Sequence, residues 1–206
     1  WSSDVCSSDP SCDWMRSDVV WTFAIAIVFL GLAAALFGHW LEKAGPRKAG
    51  VAADIFWGGG LMVTSLGGSL HQLWLIWLGA GAIGGIGLGL GYISPVSTLI
   101  KWFPDRRGLA TGMAIMGFGG GAMIGMPLGD YLIKANGVGE TFFIMGLIYF
   151  IAMTIGAFGY RVPAEGWKPE GWSPVAKKTN NMISSSHVHV SNAHKTPQFW
   201  LLWGVL

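Results

Sequence analysis

The sequence has few charged residues. Only 12% of its 206 positions are Asp, Glu, Lys or Arg, whereas soluble domains carry roughly 25%. This scarcity excludes a water-soluble globular protein, because its surface could not be built from so few charges. The formal charge of +2 is divided among short clusters that do not line one amphipathic face. A nucleic-acid-binding surface is therefore not predicted.

Cysteines and catalytic motifs are also scarce. Cys6 and Cys12 are the only cysteines, and both lie in the polar N-terminal segment without the spacing of a metal site or a disulfide framework. The G-x-S-x-G, H-E-x-x-H and Walker patterns are missing, so nothing indicates a hydrolase, a metalloprotease or an ATPase. The match to G-x-G-x-x-G at 79–84 lies inside an apolar helix with no strand before it. We therefore predict no catalytic residue, no cofactor and no enzyme activity.

Metal binding is not predicted either. The Ser- and Asn-rich segment near the C-terminus contains His187, His189 and His194, but it offers neither a fixed scaffold nor a supporting carboxylate. A solvated linker explains these histidines better than a metal site.

Long apolar runs are what the sequence does contain. Five of them, each about 20 residues or longer, have the length that an α-helix needs to cross ~30 Å of hydrocarbon. They predict an all-α polytopic membrane protein that spans the lipid bilayer at 19–37, 49–70, 73–100, 108–133 and 141–160.

The segments outside the runs define the remaining organisation. Residues 1–18 contain Ser-Ser-Asp twice and lack the apolar run of a signal peptide, so we predict a non-native or disordered tail. Residues 19–160 form the predicted helical bundle, and 161–196 form a polar linker. Residues 197–206 begin another apolar helix that covers only about half a bilayer. We therefore expect the chain to be a fragment.

Basic residues predict the orientation of the bundle. Eleven of the thirteen fall in alternate loops, which the positive-inside rule places in the cytoplasm together with the linker. These eleven are Lys43, Arg47, Lys48, Lys101, Arg106, Arg107, Arg161, Lys168, Lys177, Lys178 and Lys195, and the two others are Arg16 and Lys134.

Glycines recur at helical spacing within two of the runs. The fourth run has a ridge of Gly117, Gly121, Gly125 and Gly129, and the third has Gly81, Gly85 and Gly89 as well as Gly87 and Gly91. Such ridges allow another helix to approach closely. The contact is either static packing or a surface along which helices slide. Pro127 favours sliding, because it interrupts the backbone hydrogen bonding of the fourth run.

Asp54 is the only acid well inside a run. Intramembrane acids tend to be functional. Asp54 lies ~9 Å beyond Lys48 at helical rise, so we predict an interfacial acid that pairs with the basic turn.

The turn at 38–48 contains a distinctive set of glycines and charges. Gly38 and Gly45 allow a sharp reversal of the chain. One acid and three bases can form ion pairs across neighbouring helix ends, and these pairs could break and re-form when the bundle rocks. The four charged residues are Glu42, Lys43, Arg47 and Lys48. The turn resembles the loop between the second and third helices of major facilitator superfamily transporters, G-x-x-x-D-R/K-x-G-R-R/K. Glu42 replaces the usual Asp and Pro46 precedes Arg47. The resemblance implies a conformational gate.

A second resemblance is longer and more specific. Tyr92, Pro95, the stretch 101–112 and Gly117-Phe-Gly119 resemble the oxalate/formate antiporter family, as do 162–174 and 196–203 in the linker and after it. The second cytoplasmic loop of this pattern contains Lys101, Asp105, Arg106 and Arg107.

This resemblance implies a partial major facilitator fold. The five runs would be helices two to six, and 197–206 the start of helix seven, of a fold with about twelve helices in two halves and the binding site between them. The anion-binding Arg and Lys of the family lie in the second half. Tyr92 is then predicted to face the cavity, where a phenol can donate to a carboxylate; the alternative is a hydrogen bond between helices.

The function implied is secondary transport of oxalate-, formate- or lactate-like carboxylates by alternating access, as antiport. No Lys or Arg occurs at 49–100, whereas many proton-coupled relatives carry an Arg there, which favours exchange over symport. A proton-coupled monocarboxylate symporter and a non-transporting sensor or scaffold remain alternatives. The resemblance further implies a monomer in a bacterial-type inner membrane.

Overall fold

The computed structural model describes residues 14–164, 167, 195–197 and 200–201, with the side chain of residue 16 excepted. The predicted tail up to residue 13, most of the predicted linker, both cysteines and the three linker histidines lie outside these residues. The chain divides into two units, residues 1–169 and 170–206. In the second unit, the described residues Pro197, Trp200 and Leu201 are helical.

The first unit consists of long helices, and its described residues contain no strand. Helix α1 is Arg16–Ala44, α2 is Pro46–Ser69 and α3 is Leu73–Trp102. Within α3, the segment Trp77–Ile83 is π-helical.

One further helical stretch, Arg107–Gly159, contains two spans. Its 53 residues would measure ~80 Å at helical rise, far more than one bilayer crossing. The backbone breaks at Gly137, whose φ of 82° and ψ of 173° are not helical. We call the residues before the break α4 (107–136) and those after it α5 (138–159). The prediction of an all-α membrane bundle is therefore confirmed, and the described residues of the first unit form five helices when this stretch is divided at Gly137.

Helix α1 begins earlier and ends later than predicted. Residues 16–18, assigned above to the tail, form its first turn, and Trp77 Nε1 on α3 donates to the carbonyl of Asp18 at 2.9 Å. At the other end, α1 continues through Gly38 to Ala44, so the predicted turn at 38–48 is wrong in extent. The reversal is made by Gly45 alone, at φ 85°, with Pro46 as the first residue of α2.

Helix α2 lies at the centre of the bundle and packs against both α3 and α5. The contacts use small residues, because the buried apolar side chains are mostly alanines such as Ala49, Ala53 and Ala157. A Cβ built on Gly60 would lie 2.6 Å from the carbonyl oxygen of Gly79 on α3. Backbones in such direct contact are typical of membrane helices, where small residues at the interface replace a hydrophobic driving force.

Helix α4 is the least packed helix. Ala110 is its only buried residue, and large apolar side chains such as Met123 and Met126 are 76% exposed. An apolar surface of this kind suits contact with lipid or with further helices.

Candidate transport site and gating loops

Two loops and the end of α5 meet at the basic end of the bundle. Arg47 Nε donates to the carbonyl oxygen of Tyr160 at 2.6 Å, and Trp102 Nε1 donates to the carbonyl oxygen of Arg161 at 2.8 Å. The last carbonyls of a helix have no partner within the helix, and a cation there complements the helix dipole. The first turn of α2 and the last residue of α3 therefore hold the chain where it leaves α5.

The reversal at Gly45 is also tied to α3. Ser94 Oγ is buried and donates to the carbonyl oxygen of Pro46 at 3.2 Å. A cavity of about 450 Å3 opens beside this turn, and Arg47, Lys48 and Arg161 supply its cationic lining. The turn around Gly45 thus contacts α3 through Ser94 and the end of α5 through Arg47. Tyr160, the partner of Arg47, is far away in the sequence, so the sequence alone does not indicate this contact.

The ion pairs predicted for the first loop are not formed. Within the described part of the chain, Glu42, Lys43, Arg47 and Lys48 make no salt bridge, and the carbonyl of Tyr160 is the partner of Arg47 instead. Glu42 and Lys43 lie on the last turn of α1 rather than in a loop. Gating by Gly38, Gly45 and these four charged residues therefore stays a prediction. The backbone partner of Arg47 is not indicated by the sequence.

The second loop is shorter than predicted. Lys101 and Trp102 end α3, and Arg107 begins α4, so only residues 103–106 connect the helices. Arg106 Nε lies 3.6 Å from Asp105 Oδ2, with the arginine side chain 72% exposed. An exposed pair of adjacent residues contributes little to stability, and any gating role of this loop rests on its position beside α5.

Tyr92 lies at a cavity between α3 and α4. The cavity is about 310 Å3 and is lined by Gly91, Tyr92, Pro95, Val96, Met113, Ala114, Gly117 and Phe118. Tyr92 meets Phe118 edge to face, with ring centroids 6.3 Å apart and planes at 88°. Its side chain is 40% exposed, and its hydroxyl makes no hydrogen bond to another described residue. A phenol held by its ring and free at its oxygen can donate to a ligand.

The glycine ridge of α4 is mostly open. A Cβ built on Gly117, Gly121 or Gly129 would meet no atom within 4 Å, whereas one on Gly125 would lie 2.6 Å from the hydroxyl of Tyr149 on α5. Pro127 is accommodated inside α4 without a non-helical residue. The described residues bring no helix onto Gly117 and Gly121, so their role in helix packing stays a prediction.

The glycines of α3, in contrast, are tightly packed on two faces. A Cβ on Gly85 would lie 2.6 Å from the carbonyl oxygen of Ala26, and one on Gly89 would lie 2.7 Å from that of Leu30, both on α1. A Cβ on Gly87 would lie 2.5 Å from the amide nitrogen of Trp57 on α2. The glycines of the third run therefore pack closely against α1 and α2.

Asp54 does not pair with the basic turn, so that prediction is wrong. Asp54 is 1% exposed, and Thr154 Oγ1 on α5 donates a hydrogen bond to Asp54 Oδ2. The other oxygen, Oδ1, is buried and accepts no hydrogen bond from the described residues. The rotation of α2 places Asp54 against α5 instead of toward Lys48, and only the polarity of Thr154 within an apolar run could have hinted at this partner.

Comparison with known proteins identifies the family of this bundle. The family model described as Major Facilitator Superfamily matches residues 13–206, which covers all five spans. The chain belongs to the major facilitator superfamily.

Three relatives refine the comparison. The chain is 31% identical over 171 residues to an oxalate:formate antiporter of Oxalobacter formigenes, covering 81% of the chain and 37% of the relative. It is 28% identical to YhjX of Escherichia coli, an uncharacterized MFS-type transporter, covering 90% and 43%. It is 26% identical to monocarboxylate transporter 2 of Meriones unguiculatus, covering 90% and 36%.

These comparisons confirm the family and the fold that the sequence predicts. The chain is a member of the major facilitator superfamily that is similar to an oxalate:formate antiporter, and its helices form part of the major facilitator fold. It is a multi-pass membrane protein, and the three relatives named above are transporters. The chain spans less than half the length of these relatives.

Proposed function

We propose that this chain belongs to a secondary transporter that exchanges small carboxylates, of the oxalate, formate or lactate type, by alternating access. The observation that carries the proposal is the cavity between α3 and α4, where Tyr92 presents a free hydroxyl beside Phe118 and Gly117. One phenolic donor suits one carboxylate oxygen. The carboxylate charge then requires cations from outside these two segments of the cavity wall, because 73–100 and 108–133 contain no Lys or Arg.

The position of this cavity agrees with transport. Transporter sites lie near the bilayer midplane between packed repeats. Tyr92 lies ten residues before the end of α3 at Trp102, which is ~15 Å at helical rise and about half of the hydrocarbon thickness. The open glycine ridge of α4 borders the same cavity through Gly117. We propose that this ridge faces the other half of the transporter, along which α4 slides as access alternates.

The basic end of the bundle is proposed to be the cytoplasmic gate. Arg47 links the turn after α1 to the exit of α5, so rocking of α5 against α2 must stretch or break this hydrogen bond. The basic residues of both loops support a cytoplasmic location for this end, because the positive-inside rule associates such residues with cytoplasmic loops. We propose a monomer in a cell inner membrane, with the linker cytoplasmic, no nucleic-acid partner, no catalytic residue and no metal or cofactor.

Substitution of Tyr92 tests the site. In proteoliposomes of the full-length protein, Tyr92→Phe removes the hydroxyl but keeps the ring contact with Phe118. We expect a roughly tenfold weaker apparent affinity for oxalate or formate, as expected for one lost hydrogen bond to a charged group. The matched control is Tyr131→Phe, because Tyr131 on α4 is 70% exposed and lines no described cavity.

Two outcomes would count against the site. Equal affinities for the wild type and Tyr92→Phe would remove Tyr92 from the binding site. An equal loss in Tyr131→Phe would mean that the effect is not specific to the cavity.

Proton-coupled symport of a monocarboxylate is the second candidate. The similarity to monocarboxylate transporter 2, which extends over 90% of the chain, favours a monocarboxylate as the substrate. A pH dye inside the proteoliposomes separates the two mechanisms. Uptake of lactate into vesicles without internal substrate, accompanied by acidification of the lumen, would favour symport over exchange. A sensor or scaffold would show neither.

A further inference from the structure

The interior of the bundle contains one carboxyl group that the exchange mechanism does not use. Asp54 lies between α2 and α5 and is 1% exposed. Thr154 Oγ1 is the hydrogen-bond partner of its Oδ2, and its Oδ1 is buried without a partner among the described residues. The hydroxyl of Thr154 is therefore the one hydrogen-bond donor to Asp54 among the described residues, whereas an ionised carboxylate needs several donors.

No cation among the described residues pairs with this carboxyl group. The helices packed against α2 are α1, α3 and α5. The segments 49–70, 73–100 and 138–159 contain no Lys, Arg or His. The described titratable side chains on these helices are Tyr92 and Lys101 on α3, Glu140 and Tyr149 on α5, and Asp18, His39, Glu42 and Lys43 on α1. None of them bonds to Asp54.

The nearest bases in sequence are also unsuitable partners. Arg47 donates to the carbonyl of Tyr160, and Lys48 makes no salt bridge within the described residues, although it lies only two helical turns before Asp54. A carboxylate buried in hydrocarbon without a cation or a full set of donors is strongly disfavoured, and such groups become neutral by taking up a proton.

We propose that Asp54 is a proton-binding site, neutral while α2 and α5 are packed together and ionised when they separate. Thr154 suits both states, because a hydroxyl can donate to a carboxylate and can accept from a carboxylic acid. The proton comes from water and returns to water, with no other change in bonding. Acidic conditions should therefore favour the conformation in which α2 and α5 are packed.

A route for the proton begins one turn away. A cavity of about 110 Å3 is lined by Gly50 and Ala53 on α2, Met153 and Ala157 on α5, and Tyr160, large enough for a few water molecules. Tyr160 also lines the larger cavity at the basic end. Small movements of the α2–α5 contact would connect these two spaces and let Asp54 exchange protons with water at that end.

Infrared spectroscopy of the full-length protein in lipid tests the proposal directly. At neutral pH we expect the carbonyl stretching band of a protonated carboxylic acid in the wild type and its loss in Asp54→Asn. The matched control is Asp130→Asn, because Asp130 is an exposed acid paired with Lys134 at 2.7 Å. The band should persist in that variant. A wild-type spectrum without a protonated carboxyl band, or a band that persists in Asp54→Asn, would overturn the proposal.

A second variant keeps the test decisive if Asp54→Asn does not fold. Thr154→Val keeps Asp54 and the shape of its neighbour but removes the hydroxyl, so the carbonyl band of Asp54 should move to higher frequency as its hydrogen bond is lost. A band that does not move would contradict the assigned pair. Neither measurement depends on the transported anion, so a failure of the carboxylate assignment would leave these results interpretable.

Discussion

Replacing Gly87 by alanine should loosen the contact between α2 and α3. The added Cβ would lie 2.5 Å from the amide nitrogen of Trp57, 2.9 Å from its Cα and 3.0 Å from the carbonyl oxygen of Ala53. Favourable contacts between such atoms lie near 3.5–4.0 Å, and all three atoms belong to the backbone of α2. The helices must therefore move apart locally by roughly 1 Å.

The magnitude follows from two opposing terms. Overpacking of a tight contact costs about 1–3 kcal/mol, and alanine recovers up to ~1 kcal/mol over glycine in a helix. The net loss should be about 1–2 kcal/mol. Gly91 supplies the matched control on the same face of α3, because its Cβ would lie 3.6 Å from the Cβ of Ala53 and 3.9 Å from Cε of Met153. Gly91→Ala should be neutral or stabilising by up to ~1 kcal/mol.

The assay is denaturant unfolding of the purified protein in detergent, followed by tryptophan fluorescence. We expect Gly87→Ala to unfold at lower denaturant concentration than the wild type, and Gly91→Ala at an equal or higher one. Equal stabilities of the two variants would refute the assigned contact between α2 and α3. So would a larger loss in Gly91→Ala.

Two further predictions concern the contacts of α5. Ser65→Ala should lower the free energy of unfolding by about 1 kcal/mol, because Ser65 Oγ donates to the carbonyl oxygen of Gly139 at 2.7 Å. Ser69→Ala should lower it less in the same unfolding assay, because the Ser69 hydroxyl donates within its own helix. A larger loss for Ser69→Ala than for Ser65→Ala would contradict the assigned contact. Arg47→Ala should speed amide hydrogen exchange at the end of α5 about fivefold, which is the effect of one hydrogen bond worth ~1 kcal/mol. Lys48→Ala should leave the exchange rate unchanged. Equal exchange rates in Arg47→Ala and the wild type would contradict a stabilising contact between Arg47 and the end of α5.

The sequence was a good guide to elements with a strong local signal. Apolar length alone indicated five spans, because the cost of unpaired backbone in hydrocarbon permits only helices there. The four-residue spacing of Gly81, Gly85 and Gly89 indicated a closely packed face, and the structure places that face against α1. His71, at φ 55°, lies in the turn expected after the second span.

Helix ends were harder to predict. Gly38 and the polar residues after it suggested a turn, yet α1 continues to Ala44, because polar side chains at the membrane surface are compatible with a helix that satisfies its own backbone. Only the sign of φ at Gly45 distinguishes the true reversal, and glycine content alone does not reveal which glycine adopts it.

Partners distant in sequence were not predictable from spacing. Gly117 and Gly121 repeat the pattern of Gly85 and Gly89, yet the structure brings no described residue onto them, because periodicity identifies a face and not its neighbour. Proximity along the helix predicts that Asp54 pairs with the basic turn, but its partner Thr154 is 100 residues away. The direction in which α2 turns this side chain depends on how the whole bundle packs.

The proposed exchange function can be tested most directly with full-length protein in proteoliposomes. Uptake of labelled oxalate or formate should be rapid and saturable when the vesicles are preloaded with unlabelled carboxylate, and slow when they are empty. Uptake that ignores internal substrate, or no uptake of oxalate, formate or lactate under either condition, would contradict carboxylate exchange.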